Sequence, residues 1–157
     1  MRSAAAIASE LSGGADSTRA TRLCTACASA VPANGVSLAA ITDGGHQGVL
    51  GASDRAARLV DELQLTLGLG PCLDASRLGI PILLPDLAHS VARRWPGFGP
   101  SALEAGVGAL FAFPVQDGET RLGVLSLYRN LGGPLQDDEL ATALAHAKAA
   151  VVVLSQV

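Results

Sequence analysis

The chain lacks the features of several large functional classes. Its 157 residues include only 11 basic ones, a single lysine among them, and these are scattered rather than gathered into a stripe. The one adjacent pair, Arg93 and Arg94, is too small to hold a duplex, so direct nucleic-acid binding is not expected. No apolar run approaches the ~20 residues that a membrane span needs. Pro114 interrupts the run over 107–115, and the run over 149–154 is short.

The N-terminus lacks a secretion signal as well. The alanine-rich stretch over 4–8 is followed by Ser9 and Glu10, which leaves it shorter than the roughly 7–15 apolar residues of a secretory core. We therefore expect a cytoplasmic protein whose three cysteines stay reduced. Residues 1–16 are rich in alanine, serine and glycine without a sustained apolar period, which predicts a flexible tail ahead of one domain over 17–157.

What the chain does contain is enough apolar sequence for a core. The hydrophobic fraction is 49%, the charged fraction 16% and the net charge -3, which is unlike a disordered chain. Periodicity, capping residues and turn dipeptides predict the elements in order. The first half contains a helix from Ser17 to Val31, strands over 36–42 and 46–52 around Asp43-Gly44-Gly45, and a helix over 54–65 capped by Ser53. A short helical piece over 72–78, a strand over 80–84 and a connection over 90–100 follow. The second half contains a helix over 101–105 with a Ser101/Glu104 capping box, strands over 108–115 and 121–130 around Asp117-Gly118, and a helix over 137–154.

Two hairpins imply antiparallel pairing, so the predicted class is α+β. The last strand is apolar at nearly every position over 122–128, whereas a sheet with one wet face alternates more cleanly. Both faces of the sheet should therefore be covered. We expect the terminal helices on one face, and the short helices and loops between Ser53 and Ala105 on the other.

Five segments, taken in order, resemble one known family. They are Gly-Leu-Gly-Pro-Cys-Leu-Asp-Ala (68–75), Ile-Pro-Ile-Leu-Leu-Pro-Asp-Leu (80–87), Arg-Trp-Pro-Gly-Phe (94–98), Gly-Ala-Leu-Phe-Ala-Phe-Pro-Val (108–115) and Arg-Leu-Gly-Val-Leu-Ser-Leu-Tyr-Arg (121–129). Each is weak alone, but their succession resembles a GAF domain of the actinobacterial type over about residues 17–155.

The resemblance implies a GAF/PAS-like central antiparallel sheet. It further implies that the N- and C-terminal helices pack on one face and form a dimer bundle, and that a ligand pocket lies on the other face. Close relatives are GAF-ANTAR proteins, in which an RNA-binding ANTAR region follows the sensory half. Here the sequence ends at Val157, where that region would begin. We expect action through a partner, or ligand binding alone, rather than direct antitermination.

The positions of the three cysteines favour core packing over redox, zinc-binding or nucleophilic roles. Cys24 and Cys27 form a Cys-x-x-Cys inside the first predicted helix, on its apolar stripe, which indicates core packing rather than a redox or zinc site. Cys72 follows Gly70-Pro71 and opens a short helix facing the sheet, where a thiolate could act as a nucleophile. One branch of the resembled family reduces free methionine sulfoxide, but that chemistry needs a resolving thiol, and the other two cysteines are expected across the sheet.

The predicted ligand pocket combines residues from three regions. Its members are Cys72, Asp74, Trp95, Phe98, Phe111, Phe113 and Ser126. For Asp74 we leave open a ligand amine or a turn cap as its partner. Trp95 and Phe98 form either a lid or a satellite core, and Phe111 and Phe113 either pocket wall or plain core.

No catalytic constellation can be placed on this sequence. His46, His89 and His146 are isolated, no Ser-His-Asp order or carboxylate pair is evident, and residues 68–71 lack the ending of a phosphate loop. No metal and no cofactor are predicted. The leading hypothesis is a homodimeric sensor of a small molecule that catalyses nothing. The alternatives are a ligand-free dimerisation or partner-binding module, and a thiol-based methionine sulfoxide reductase-like enzyme.

Overall fold

The computed structural model describes residues 16–43 and 47–156. Its elements are α1 (Asp16–Ala30), β1 (Gly35–Ile41), β2 (Gln47–Ala52), α2 (Arg55–Leu67), α3 (Pro71–Leu78), β3 (Ile82–Leu84), α4 (Leu87–Arg94), α5 (Phe98–Glu104), β4 (Ala109–Asp117), β5 (Thr120–Arg129) and α6 (Asp137–Leu154). Of the tail predicted over 1–16, residues 1–15 lie outside the described residues, as do the turn residues 44–46, whereas Asp16 is the first residue of α1. No helix in the described ranges combines the length and apolar character needed to cross a bilayer.

The strands form one antiparallel sheet in the order β2-β1-β5-β4-β3. The two predicted hairpins are β1–β2 and β4–β5, and pairing of β1 with β5 joins them. The short strand β3 pairs with β4 at the edge. The predicted α+β class with a central antiparallel sheet is confirmed.

The first face of the sheet is covered by α1 and α6. Their buried residues include Leu23, Cys24, Cys27, Ala143, Ala150 and Val153, which pack on Val36, Leu38, Phe111, Phe113, Leu125 and Leu127 of the strands. The approach of α1 requires glycine at position 51, because a Cβ there would lie 2.6 Å from the backbone nitrogen of Thr21. The bounds predicted for α6 are confirmed. Its apolar repeat predicts a core stripe of Leu140, Leu144, Ala147, Val151 and Leu154, but Leu144 is 42% exposed.

The second face is covered by the chain between Arg55 and Glu104. The buried residues there include Ala57, Val60, Cys72, Ala75, Leu87, Trp95, Phe98 and Ala102, and they pack on Ala39, Ile41, Leu110, Ala112, Val124 and Tyr128 of the strands. The prediction that both faces of the sheet are covered is therefore confirmed. The segment over 68–100 supplies much of this second layer.

The predicted connection over 90–100 is wrong in part, because two helices occupy this region. In α4 the side chain of Asp86 accepts a hydrogen bond from the backbone N–H of His89 at 3.4 Å and caps the helix. The next helix, α5, begins at Phe98 after Gly97, which has a φ of 88°. Ser101 therefore lies inside α5, and the predicted capping box with Glu104 does not form.

The sequence of α2 predicts an apolar face formed by Ala56, Leu59, Val60 and Leu63, and this prediction needs correction. Leu59 is 50% exposed, whereas Asp61 and Gln64 are buried beside Val60. The cap is Asp54, whose carboxylate accepts from the N–H of Ala57 at 2.8 Å. Ser53, predicted to cap α2, instead accepts from the backbone N–H of Val36. Two polar side chains thus face the sheet from α2.

Candidate functional site

Five of the seven predicted site residues lie on the second face of the sheet. They are Cys72, Asp74, Trp95, Phe98 and Ser126. Phe111 and Phe113 do not join them, because both pack on the first face with α1 and α6. Side chains alternate along β4, and those of Leu110 and Ala112 point to the second face. Phe111 and Phe113, at the alternate positions, therefore point to the first face. The placement of these two phenylalanines in the pocket is therefore corrected.

Asp74 connects α3 with α4. Its Oδ2 accepts a hydrogen bond from the indole Nε1 of Trp95 at 3.1 Å, and its Oδ1 accepts from Arg77 at 3.1 Å. The guanidinium of Arg94 lies 3.6 Å from Oδ2. The same guanidinium stacks on Trp95, 4.3 Å from the ring centroid. The carboxylate of Asp74 is thus engaged by side chains of this chain.

Trp95 and Phe98 belong to the second-face core. Trp95 is 2% exposed and Phe98 fully buried, and they pack in the same cluster as Leu87 and Ala102. Of the two alternatives that the sequence leaves open, the structure supports the core. The edge of Trp95 nevertheless borders an open cleft beside Asp74.

That cleft, which we call the second-face cleft, has a volume of about 570 Å³. It lies between one end of the sheet and the segment that leads from α2 through α3 to the end of α4. Its walls are formed by Ile41, Thr42, Gln47, Gly68, Leu69, Leu73, Asp74, Ser76, Arg77, Arg94, Trp95 and Arg121. Arg121 is 3.4 Å from Asp43, which neighbours the cleft. Three guanidinium groups and one carboxylate therefore line the cleft itself.

Ser76 belongs to this wall as a buried polar residue. It is 3% exposed, and its Oγ is buried without a hydrogen-bond partner among the described residues. A buried hydroxyl without a partner costs about 1–3 kcal/mol.

Beneath α2 and α3 lies a buried polar cluster. It consists of Ser37, Asp61, Gln64, Cys72 and Ser126, each at most 5% exposed. Ser37 and Ser126 face each other across β1 and β5. Burial raises the pKa of Asp61 from 3.8 to about 6, and the hydroxyls of Ser37 and Ser126 offset this only in part. Asp61 Oδ2 and Ser126 Oγ lack a partner with hydrogen-bond geometry in the described part of the chain.

Gln64 connects this cluster to the start of α3. Its Oε1 accepts from the backbone N–H of Cys72 at 2.8 Å, which satisfies one free donor at the N-terminus of that helix. Its Nε2 donates to the carbonyl of Val60 at 3.2 Å and lies 3.4 Å from Asp61 Oδ1. The amide therefore fixes the position of α3, and with it Ser76, relative to α2.

Sequence reasoning missed Ser37, Asp61, Gln64, Ser76 and the three arginines of the cleft. One signal for α2 was present, because Ala57, Asp61 and Gln64 recur at helical spacing and share a stripe. Apolar residues usually define the core face of a helix, so Leu59 and Leu63 indicate a different face from the one that is buried. The arginines come from three elements and share no local pattern.

The family model of the GAF domain matches residues 18–154. The chain belongs to the GAF domain family. GAF domains are sensory or regulatory modules of signalling proteins. No curated protein is detectably similar in sequence to this GAF domain.

Solved structures share the fold of this GAF domain. One is the GAF domain of a phosphoenolpyruvate-protein phosphotransferase from Coxiella burnetii, with a TM-score of 0.78 and 18% identity over 98% of this chain and 90% of that one. Another, from the corresponding Acinetobacter protein, has a TM-score of 0.74 and 12% identity over 98% and 90% of the two chains. A third is a type II free methionine-R-sulfoxide reductase from Thermoplasma acidophilum, with a TM-score of 0.68 and 11% identity over 90% and 93%. Identities this low show the common fold alone.

The three thiols of this GAF domain are buried and free. Burial raises the pKa of Cys72 and of Cys24 well above the usual range, and raises that of Cys27 to about 12. Cys72 belongs to the second-face cluster, whereas Cys24 and Cys27 belong to the first-face cluster. A thiol held protonated, with the sheet between it and the other two, is poorly suited to nucleophilic or redox chemistry. No group of metal-ligating side chains is present within the described residues.

A groove of about 520 Å³ runs between α6 and β4 on the outer side of the first face. Leu144 and Val151 of α6 line it together with Pro114. Leu144 is 42% exposed and Val152, on the same helix, 46% exposed. This side of α6 therefore presents apolar side chains to the surface, which is where the resemblance implies a second copy of the chain.

Proposed function

We propose that this GAF domain is a cytoplasmic regulatory module that senses a small molecule, acts as a homodimer and catalyses no reaction. The observation that carries the proposal is the second-face cleft, whose wall includes three arginines and Ser76, a buried residue whose hydroxyl has no hydrogen-bond partner among the described residues. GAF domains commonly bind small-molecule ligands. The succession of motifs over 68–129 further supports a place among actinobacterial GAF domains that resemble the sensory half of GAF-ANTAR proteins.

The walls of the cleft suggest how a bound molecule alters the protein. Leu69, Leu73 and Ser76 sit on the segment that Gln64 ties to α2. A ligand that contacts this segment and the sheet end together favours conformations in which the segment over 68–100 is closed on the sheet. Such a population shift requires a ligand affinity that differs between the two conformations.

A conformational change at the cleft can reach the terminal helices through contacts made by β5. Tyr128 of β5 donates to Asp54, the cap of α2, at 3.3 Å. The following residue, Arg129, donates to the carbonyl of Pro32 after α1 at 2.8 Å and to Glu139 of α6 at 3.0 Å. One strand therefore connects the start of α2 with both terminal helices. A shift of α2 relative to β5 would therefore change the positions of α1 and α6 at the proposed dimer surface.

The absence of catalysis is supported by the state of the thiols. Nucleophilic cysteines are exposed thiolates in electropositive surroundings. Here Cys72 is fully buried, and its pKa is raised by burial and by the carboxyl of Asp61. No second thiol shares its side of the sheet among the described residues.

Native mass spectrometry of protein purified from its host tests the sensor and the dimer together. We expect twice the subunit mass with a small molecule that is released on denaturation. Ser76→Leu, which fills the cleft from α3, should remove the bound molecule but not the dimer. Ser101→Leu, at an exposed position of α5, is the matched control and should retain both. A folded dimer that never carries a molecule would contradict the sensor and favour a ligand-free dimerisation module.

A further inference from the structure

The second-face cleft has an unbalanced charge. Arg77, Arg94 and Arg121 line it against Asp74, and counting the neighbouring Asp43 leaves three cations for two anions. The arginines come from α3, α4 and β5, so the fold gathers charges that are far apart in sequence. Their side chains are 67%, 47% and 45% exposed, so each guanidinium is reachable from solvent.

We infer that the molecule recognised by the second-face cleft is an anion, carrying a carboxylate or a phosphate group on a small apolar body. The inference rests on the function proposed above and specifies its ligand. It concerns the chemical class alone, since carboxylate and phosphate oxygens offer the same acceptors to guanidinium groups.

The arginines retain donors for such a group. A guanidinium has five N–H donors in a fixed fork. Arg77 uses one nitrogen on Asp74 at 3.1 Å, Arg121 places Nε 3.4 Å from Asp43, and Arg94 is 3.6 Å from Asp74. These contacts occupy one edge of each group. The remaining N–H groups can bind an anionic oxygen in the cleft.

The one carboxylate that lines the cleft does not oppose an anion strongly. Asp74 accepts hydrogen bonds from Trp95 and Arg77 and faces Arg94 as well, so two cations neutralise its single charge. The cleft and its immediate border therefore keep a net positive charge.

The other walls favour an organic molecule over a bare inorganic ion. Ile41, Leu69 and Leu73 contribute apolar surface, and the Arg94–Trp95 stack contributes a flat edge. An apolar or planar body of the ligand would pack there while its acid group meets the arginines. This division between apolar walls and a few polar groups is usual for small-molecule sites.

The test uses three probes that share one planar body: phenyl phosphate, benzoate and the neutral amide benzamide. Binding to the full chain is followed by titration calorimetry and by the fluorescence of Trp95, which is the only tryptophan. Sodium chloride at matched ionic strength controls for screening. We expect a saturable signal with phenyl phosphate, benzoate or both, and none with benzamide or chloride.

Variants assign the binding to the cleft. Arg121→Gln leaves Trp95 untouched and should weaken binding about tenfold, as the loss of a charged hydrogen bond does. Arg121→Lys should keep part of it, because the charge remains while the forked donors are lost. Arg22→Gln removes the same charge at an exposed site on α1 and should change nothing. Circular dichroism verifies that every variant is folded.

Each result has a defined meaning. Binding of phenyl phosphate alone identifies a phosphorylated ligand class, and binding of benzoate alone a carboxylic acid. Benzamide binding as tightly as the anions, or Arg22→Gln weakening binding as much as Arg121→Gln, would overturn the inference. If no anion saturates the protein while native mass spectrometry still finds a retained neutral molecule, the anion inference fails and the sensor stands. If neither is found, both fail.

Discussion

Asp61 is a carboxyl group that the fold buries, and replacing it with asparagine should stabilise the domain at neutral pH. The side chain is 1% exposed, and its pKa is raised from 3.8 to about 6, chiefly by burial. Its Oδ2 has no partner with hydrogen-bond geometry among the described residues. Above that pKa the folded protein holds a poorly compensated charge, which the nearly isosteric amide removes.

The magnitude follows from the two pKa values. Because the pKa is higher in the folded state than in the unfolded chain, the folded protein binds the proton more tightly. The stabilising effect of Asp61 is fully present below the unfolded value of 3.8 and is lost as the pH rises through about 6. The gap corresponds to about 3 kcal/mol, since each pKa unit is worth about 1.4 kcal/mol. Asp61→Asn should therefore raise the free energy of unfolding by up to about 3 kcal/mol near pH 7.5, and by progressively less towards pH 4.

Urea unfolding measured by Trp95 fluorescence across this pH range gives the difference between variant and wild type. That difference cancels the titration of the other carboxyl groups. Glu62→Gln is the matched control, because Glu62 is the next residue and is exposed beside Arg58, and it should change stability by less than about 1 kcal/mol at any pH. A variant that is less stable than wild type near pH 7.5, or a difference independent of pH, would show that Ser37 and Ser126 satisfy the carboxylate and would refute the reasoning.

Three further predictions concern the fold, the proposed dimer and the thiol of Cys72. Trp95→Ala should lower the free energy of unfolding by about 3–5 kcal/mol, because the side chain is 2% exposed and lies in the second-face core; a loss below about 1 kcal/mol in circular dichroism melts would indicate a lid instead. Leu144→Asp should dissociate the dimer in sedimentation experiments while Leu59→Asp, at a similarly exposed leucine of α2, leaves it intact; a dimer that survives Leu144→Asp would exclude this side of α6 as the interface. Cys72 should react with a thiol reagent only as fast as the domain opens, and the wild-type protein should not reduce methionine sulfoxide; rapid labelling in the folded state or measurable turnover would restore the thiol-enzyme hypothesis.

The sheet and the long terminal helices could be predicted because their signals are local. The Asp117-Gly118 turn joins two apolar runs, and Gly118 has the positive φ of 61° that such a turn requires. The acidic first turn and apolar repeat of α6 set its bounds at residues 137 and 154, as the structure has them. The apolar character of β5 on both sides predicted a covered sheet, and both faces are covered.

The short helices were harder to predict because tertiary contacts, not propensity, hold them. A helix of eight residues such as α4 is too short to be stable alone. It is held by Leu87, which is fully buried, and by the contacts of Arg94 and Trp95 with Asp74. Asp74 and most of the sheet are distant from α4 in sequence, so the local pattern between Pro85 and Gly97 resembles a loop.

The candidate site was the least predictable part for the same physical reason. Arg77, Arg94 and Arg121 lie far from one another in sequence, and a chain with scattered arginines shows no basic stripe. They converge only because the end of α4 returns to α3 through Asp74, and β5 begins at the same end of the sheet. Ser76 lies in the wall of the same cleft because Gln64 fixes α3 against α2. A site assembled from partners that lie far apart in the chain is determined by the fold, so its charge becomes visible only when the sheet and its second layer are in place.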